Sequence, residues 1–69
     1  MSPAVTYYLP DEGAEGGFRA VGALVVRVRD AATLDLYARD GFGGGFDLYS
    51  VPQCDPAQPA AGHWSEIPA

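Results

Sequence analysis

Hydrophobic and polar residues alternate along much of the 69-residue chain, and a period of two residues is typical of half-buried β-strands. Four segments follow this pattern: residues 5–9, 18–30, 33–39 and 46–51. β-branched and aromatic residues are frequent in these segments, which favours a pleated sheet surface. The pattern therefore predicts an all-β domain.

The alternation also predicts which side chains share a face of the sheet. The first strand places Val5, Tyr7 and Leu9 together. The predicted faces of the other strands are Leu24, Val26 and Val28 against Val25, Arg27 and Arg29; Leu34, Leu36 and Ala38 inward against Asp35, Tyr37 and Arg39 outward; and Phe46 and Leu48 against Asp47 and Tyr49. For residues 30–39 a helix is a second interpretation, because the alanines and leucines there also suit a helix.

Glycine and proline punctuate the strands. Pro10 ends the first strand, and residues 11–17 form an acidic, glycine-rich loop. Gly22 lies inside the second strand and predicts a bulge or a sharp bend there. The Asp-Gly pair at 40–41 and the glycine run at 43–45 predict a hairpin loop between the third and fourth strands.

The last quarter of the chain has a different composition. Pro52 ends the fourth strand, because proline cannot donate to a ladder, and residues 53–62 are rich in proline and alanine. Residues 64–67 are a candidate closing strand, with Trp64 capping an open end of the core. We predict a β domain core over residues 1–52 and an extended tail over residues 53–69. The fold class is a small four- to five-stranded antiparallel barrel or meander, SH3-like, with an extended C-terminal segment.

Chain length makes assembly with other chains an expected source of stability. One domain of 69 residues buries about 60% of the surface that its unfolded form exposes, so its core is marginal. Cys54 is the single cysteine, so a disulfide within the chain is excluded. Cys54 and His63 alone are too few for structural zinc, which takes four Cys or His ligands. Small domains without such supports commonly gain stability by oligomerisation.

The charge balance argues against nucleic acid and anionic membranes as partners. The net charge is −5, with four arginines, no lysine and nine carboxylates. Nucleic-acid binding needs clustered cations that neutralise phosphates, and an acidic surface disfavours anionic lipid. The first ten residues lack the basic and apolar regions of a signal peptide. We therefore expect synthesis in the cytoplasm of the producing cell.

Three groups of residues invite a chemical interpretation, and each has a simpler one. Cys54 and His63 are the candidates for a nucleophile and its base, but nothing local holds them in contact. The glycine run at 41–45 lacks the following helix and the lysine of a phosphate loop. The carboxylates of the loop at 11–15 lack the spacing of a calcium-binding EF-hand. We predict no catalytic residue, cofactor or metal, and hence no enzyme.

Aromatic and arginine side chains give a better indication of function, because both are enriched at the hot spots of protein interfaces. The outward faces of the strands are predicted to carry tyrosines and arginines, and Tyr37 and Tyr49 should share one exterior face of a hairpin. Phe42, on the glycine-rich loop, either folds back onto the core or inserts into a partner. The candidate protein-binding residues are Tyr8, Arg27, Tyr37, Arg39, Phe42, Tyr49 and Trp64.

Residues 20–66 resemble small all-β proteins of unassigned role from bacteriophages of high-GC hosts. The resemblance rests on four stretches: Leu24-Val25-Val26-Arg27-Val28, Leu34-Asp35-Leu36-Tyr37, Val51-Pro52 and Gly62-His63-Trp64. It implies a phage context and no catalytic residues. Under that resemblance we expect a virion accessory protein of capsid decoration or cement type, whose partner is a major capsid protein, another virion protein or a second copy of itself. The rival expectations are a soluble inhibitor of a host enzyme or defence protein, and a ligand-binding or enzymatic barrel.

Overall fold

The computed structural model describes residues 4–39 and 43–67 and shows an all-β chain. Its elements are β1 (Ala4–Pro10), a short 3-10 turn (Glu15–Gly17), β2 (Phe18–Val28), β3 (Thr33–Arg39), β4 (Gly45–Pro52) and β5 (Trp64–Ser65). The strands predicted from the alternation are confirmed. The helix considered for residues 30–39 is wrong, because that segment is strand β3 and the turn before it.

The five strands form one antiparallel sheet in the order β4-β3-β2-β1-β5. β2 is the longest strand and links the two halves of the sheet. Its residues 18–24 pair with β1, and its residues 23–28 pair with β3. β3 and β4 form the predicted hairpin, and the two residues of β5 pair with β1 at the far edge.

The sheet has two register shifts: the first changes the predicted faces of β2, and the second lies where Leu34 and Leu36 of β3 pair with Val51 and Leu48, so that β4 has one extra residue there. The first lies between Val25 and Arg27 in β2, so Val26 is an extra residue in that strand. The predicted common face of Leu24, Val26 and Val28 is therefore wrong for Val28, which pairs with the inward Leu34, because an inserted residue reverses the alternation beyond it. The predicted common face of Val25, Arg27 and Arg29 is wrong for Val25, which pairs with the inward Leu36. Gly22 pairs in regular register with Thr6, and the bulge foreseen there lies instead at Val26.

The core lies on the face that carries the inward residues of β3. Leu34, Leu36 and Ala38 are completely buried, as predicted, since β3 lies between two longer strands. Val5 and Tyr7 of β1 pack on the same cluster, and burial raises the pKa of the Tyr7 phenol. The other members of the cluster are Ala23, Val51 and Trp64, with Leu9, Val21, Val25, Phe46 and Leu48 packed around them.

Residues 53–65 fold back onto the sheet and are held at several points. Trp64 pairs with Tyr7 of β1, and it forms a parallel bridge with Gln53 just beyond β4. The Cys54 amide donates to the Trp64 carbonyl at 2.8 Å. The Trp64 indole donates to the Ala32 carbonyl at 3.1 Å and is only 3% exposed. Trp64 therefore links the first strand, the β2–β3 turn and the end of β4.

Candidate protein-binding surface

The face of β2, β3 and β4 that lies opposite the core is unusually apolar. Leu24 of β2 pairs directly with Tyr37 of β3, and Tyr37 pairs with Asp47 of β4. Directly opposed residues of antiparallel strands project from the same face, so these three side chains form a row across the sheet. Leu24 is 48% exposed and Tyr49, two residues beyond Asp47, is 68% exposed. We call the exposed apolar residues of this face the outer apolar row: Leu24, Tyr37, Tyr49 and Val26, the unpaired residue of the β2 bulge, which is 59% exposed.

Tyr37 is held in place by a glycine on the neighbouring strand. A Cβ built on Gly45 would lie 2.7 Å from Tyr37 Cε1, which is closer than real side chains approach. The Tyr37 ring therefore covers the Gly45 backbone, an arrangement in which an aromatic residue shields a glycine of the adjacent strand. One side of the Tyr37 ring contacts β4, and the other side is exposed to solvent.

Asp35 fixes the second register shift of the sheet. It alternates with the buried leucines of β3 and so projects to the outer face, yet it is only 3% exposed. Its Oδ1 atom accepts from Arg29 Nε at 2.6 Å and from the Ser50 amide at 2.8 Å. Ser50 has a φ of +53°, in the left-handed region that few residues other than glycine adopt. Asp35 thus holds the bulge in β4 that follows Tyr49.

These contacts set the ionisation of Asp35. The hydrogen bond from Arg29 and then the one from the Ser50 amide hold the pKa of the Asp35 carboxyl below its usual value, against the opposing effect of burial. The same ion pair raises the pKa of Arg29. In the β2–β3 turn, the Ala32 amide, with Thr33, lowers the pKa of Asp30 in the same way. Both carboxylates therefore stay ionised at neutral pH.

Charge is distributed unevenly between this face and the rest of the chain. The outer face of β2–β4, with Arg29 just beyond β2, carries three arginines (Arg27, Arg29 and Arg39) and two carboxylates (Asp35 and Asp47), and Asp30 lies beside Arg29 in the β2–β3 turn. The remaining residues carry one arginine and seven carboxylates, a net charge of −6. Within residues 4–39 and 43–67, the one ion pair within 4 Å joins Arg29 and Asp35, so Arg27 and Arg39 have no such partner.

The predicted binding residues do not all meet at one place. Tyr37 and Tyr49 share the outer face with Arg27 and Arg39, as the alternation predicts. Tyr8 is 8% exposed: its ring packs edge-on against Phe18 at 5.2 Å, and its hydroxyl shares a 2.7 Å hydrogen bond with Ser65 Oγ. Tyr8 and the buried Trp64 thus offer a partner little area. Phe42 lies outside the described residues.

The other chemical candidates stay apart from this face. Cys54 is half-buried beside Trp64, and His63 Nδ1 lies 3.0 Å from the Ala61 carbonyl oxygen. The described residues contain no group of three or more His, Cys, Asp or Glu that could hold a metal ion. In the acidic loop, Asp11 Oδ1 accepts from the Gly13 amide at 3.0 Å, so this carboxylate caps its own turn. No helix in the described part of the chain is long and apolar enough to cross a membrane.

A concavity of about 450 Å³ opens at one end of the outer face, lined by Tyr37, Arg39, Gly43 and Gly44. Among the described residues, the lining offers the Tyr37 ring, the Arg39 guanidinium and glycine backbone. Comparison with protein-family models, curated proteins and solved structures finds no significant match. The function of this surface must therefore be inferred from its geometry.

Leu24 and Val26 were missed as members of the candidate surface. The sequence places them in an apolar run that is indistinguishable from a core strand, because four of the five residues from Leu24 to Val28 are aliphatic. Their exposure depends on which face of β2 packs on the core, and the pairing of β2 with β1 and β3 decides that. The one local signal was Arg27, which a strand cannot bury without a partner.

Proposed function

We propose that the chain is a non-enzymatic protein-binding module that docks through the outer apolar row. The observation that supports this proposal best is the solvent exposure of Leu24, Tyr37 and Tyr49 side by side on the sheet. Contiguous apolar patches on small proteins commonly mark binding sites for other macromolecules. Aromatic residues and arginines are also the residue types enriched at interface hot spots.

The charge distribution indicates what kind of partner fits. Arg27 and Arg39 flank the row, and neither forms an ion pair within 4 Å with a carboxylate of the described residues, although Arg27 lies opposite Asp35 in the sheet. A complementary partner surface presents apolar side chains with acidic residues around them, because opposed charges steer encounter and suppress wrong partners. Like-charge repulsion disfavours contact between that partner and the acidic remainder of this chain.

We also propose that the sheet curves into a small SH3-like barrel. The strand order β4-β3-β2-β1-β5 leaves two edges, and Trp64 approaches both of them. It pairs with Tyr7 of β1 on one side and bridges Gln53 beyond β4 on the other. Closing a sheet in this way removes edges at the base of the barrel and leaves the outer face free for a partner.

The biological setting that we propose is a bacteriophage particle, in which the chain decorates or cements the capsid. This rests on the resemblance of residues 20–66 to small phage proteins and on the marginal core of a 69-residue chain. Docking on a repetitive scaffold would supply the missing stability. Synthesis in the host cytoplasm followed by residence in the virion is the corresponding localisation.

Quantitative mass spectrometry of purified particles tests this setting. The particles should come from a phage whose genome encodes the chain, and we expect a fixed copy ratio to the major capsid protein. If the chain is absent from particles and instead co-purifies with a host enzyme or defence protein, the decoration role is wrong and the inhibitor role replaces it.

A further inference from the structure

β4 is an edge strand with an open side. It stands at one end of the strand order, and the pairing beyond it involves Gln53, outside the strand. Half of the backbone groups of an edge strand point away from its one neighbour. In the described part of the chain, no backbone hydrogen bond reaches β4 from that side. The bulge at Ser50 and Pro52 limit the free edge to residues 45–49.

The usual protections of an edge are sparse along this stretch. Natural edge strands carry lysines, prolines or inward-pointing charges that prevent pairing with another chain. Residues 45–49 have the sequence Gly-Phe-Asp-Leu-Tyr, with one charge and no lysine or proline. Phe46 and Leu48 are half-buried and pack against the core from this edge. A further strand would therefore find both unpaired backbone and apolar side chains to cover.

We propose that this edge pairs with the same edge of a second copy, antiparallel, across a two-fold axis centred on Leu48. With a two-fold axis perpendicular to the sheet, a residue that precedes the central residue in one copy lies opposite the residue that follows it by the same number of positions in the other copy. Centred on Leu48, the two leucines meet on the core side. On the outer side, Asp47 of each copy stands opposite Tyr49 of the other, so the carboxylate faces a phenol that can donate to it.

Neighbouring registers are less favourable. A centre on Asp47 places two carboxylates opposite each other, and like charges directly opposed destabilise a sheet. A centre on Phe46 places Asp47 opposite Gly45, where no side chain is available to meet it. The Leu48 register also continues the outer apolar row across the axis, since Tyr49 of both copies lies at the junction.

The geometry also predicts how strong the association is and how it responds to salt. In this register residues 47–49 of each copy pair within the free edge, which covers less than the total of about 1,200 Å² at which lasting complexes begin, so the dimer forms in a concentration-dependent way. Each copy carries a net charge of −5. Added salt screens the repulsion between the copies, so dimerisation should strengthen with salt. Docking through Arg27 and Arg39 should weaken with salt, and this inference does not depend on that docking.

Sedimentation velocity from roughly 1 µM to 1 mM, a range that spans weak affinities, tests the pairing. The wild-type mass should rise from 7.2 kDa toward twice that value. Tyr49→Arg places opposite charges at two symmetry-related pairs and should tighten the dimer by about twofold to thirtyfold, from the usual worth of cross-strand pairs. Tyr49→Asp opposes like charges and should weaken it by a similar factor.

The double variant Asp47→Lys/Tyr49→Asp restores opposite charges across the axis and should dimerise at least as well as the wild type. Leu24→Ser, which lies away from the edge, is the matched control and should not change dimerisation. A wild-type chain that stays monomeric throughout, a Tyr49→Arg variant no tighter than the wild type, or a double variant as weak as Tyr49→Asp overturns the proposed pairing. Loss of docking by Leu24→Ser with dimerisation intact would separate the two surfaces.

Discussion

Truncating Trp64 should destabilise the whole domain, because this side chain belongs to the core and not to a loose tail. Trp64 is 3% exposed, and its indole donates to the Ala32 carbonyl at 3.1 Å. Removing a buried tryptophan to alanine typically costs about 3–5 kcal/mol. A domain of 69 residues has a total free energy of unfolding of about 3–10 kcal/mol. Trp64→Ala should therefore remove a large part of the free energy of unfolding.

Trp64→Phe separates the contribution of the indole hydrogen bond from that of the buried ring. It removes the hydrogen bond, worth about 1 kcal/mol, and leaves a smaller ring in the same pocket, so we expect a loss of about 1–3 kcal/mol. At 4–8 °C per kcal/mol for a domain of this size, roughly, that loss lowers Tm by about 4–24 °C. Ile67→Ala is the control, because Ile67 is 52% exposed and its truncation should stay within about 0.5 kcal/mol.

Urea unfolding followed by far-UV circular dichroism is the suitable assay. Trp64 is the only tryptophan, so its fluorescence disappears in both variants. The transition should remain a single step with a lower midpoint, since Trp64 contacts the first strand and the β2–β3 turn alike. A Trp64→Ala protein with the wild-type midpoint would falsify the assignment of Trp64 to the core.

Three further predictions concern the contacts that shape the outer face and the opposite end of the sheet. Gly45→Ala should destabilise the domain by less than the roughly 1–3 kcal/mol that overpacking costs in a core, because the new Cβ meets the far end of the exposed Tyr37 ring, which can move toward solvent; combining it with Tyr37→Ser should recover much of that loss in thermal melts. The pKa values of Asp30 and Asp35 are lowered on folding, so the stability they contribute is present above the ordinary Asp value of 3.8 and is lost as pH falls through their depressed values; acid titration of Asp35→Asn should show a shallower loss than the wild type, and an unchanged profile would contradict the ion pair. Tyr8→Phe removes the 2.7 Å hydrogen bond to Ser65 and should cost about 1 kcal/mol in urea unfolding, with no loss expected for Tyr49→Phe, whose ring is exposed.

The strands could be predicted because their periodicity is local. Leu34, Leu36 and Ala38 alternate with polar or amphipathic residues, and the structure buries all three. Turn positions followed from glycine and proline, whose backbone preferences are properties of single residues. The period of two thus decided both the fold class and the inward face of β3.

The bulges and the exposed apolar residues could not be predicted, because they depend on contacts between distant segments. The bulge at Ser50 is held by Asp35, fifteen residues earlier. The exposure of Leu24 follows from which face of β2 packs on the core. Tyr8 lies on the outer face, as its position in the alternation predicts, but Phe18 and Ser65 cover it. Alternation determines the face on which a side chain lies and not the side chains that surround it.

Binding of purified variants to phage particles prepared without the chain tests the central proposal most directly. The outer apolar row is removed by Leu24→Ser/Tyr49→Ser, and Ile67→Ser removes an equally exposed apolar side chain near β5 at the opposite edge of the sheet. We predict that the wild type and Ile67→Ser bind at a fixed number of copies per particle, and that the double variant binds at least tenfold more weakly while keeping the wild-type circular dichroism spectrum. Equal binding by the double variant, or no binding by the wild type, would contradict docking through this face.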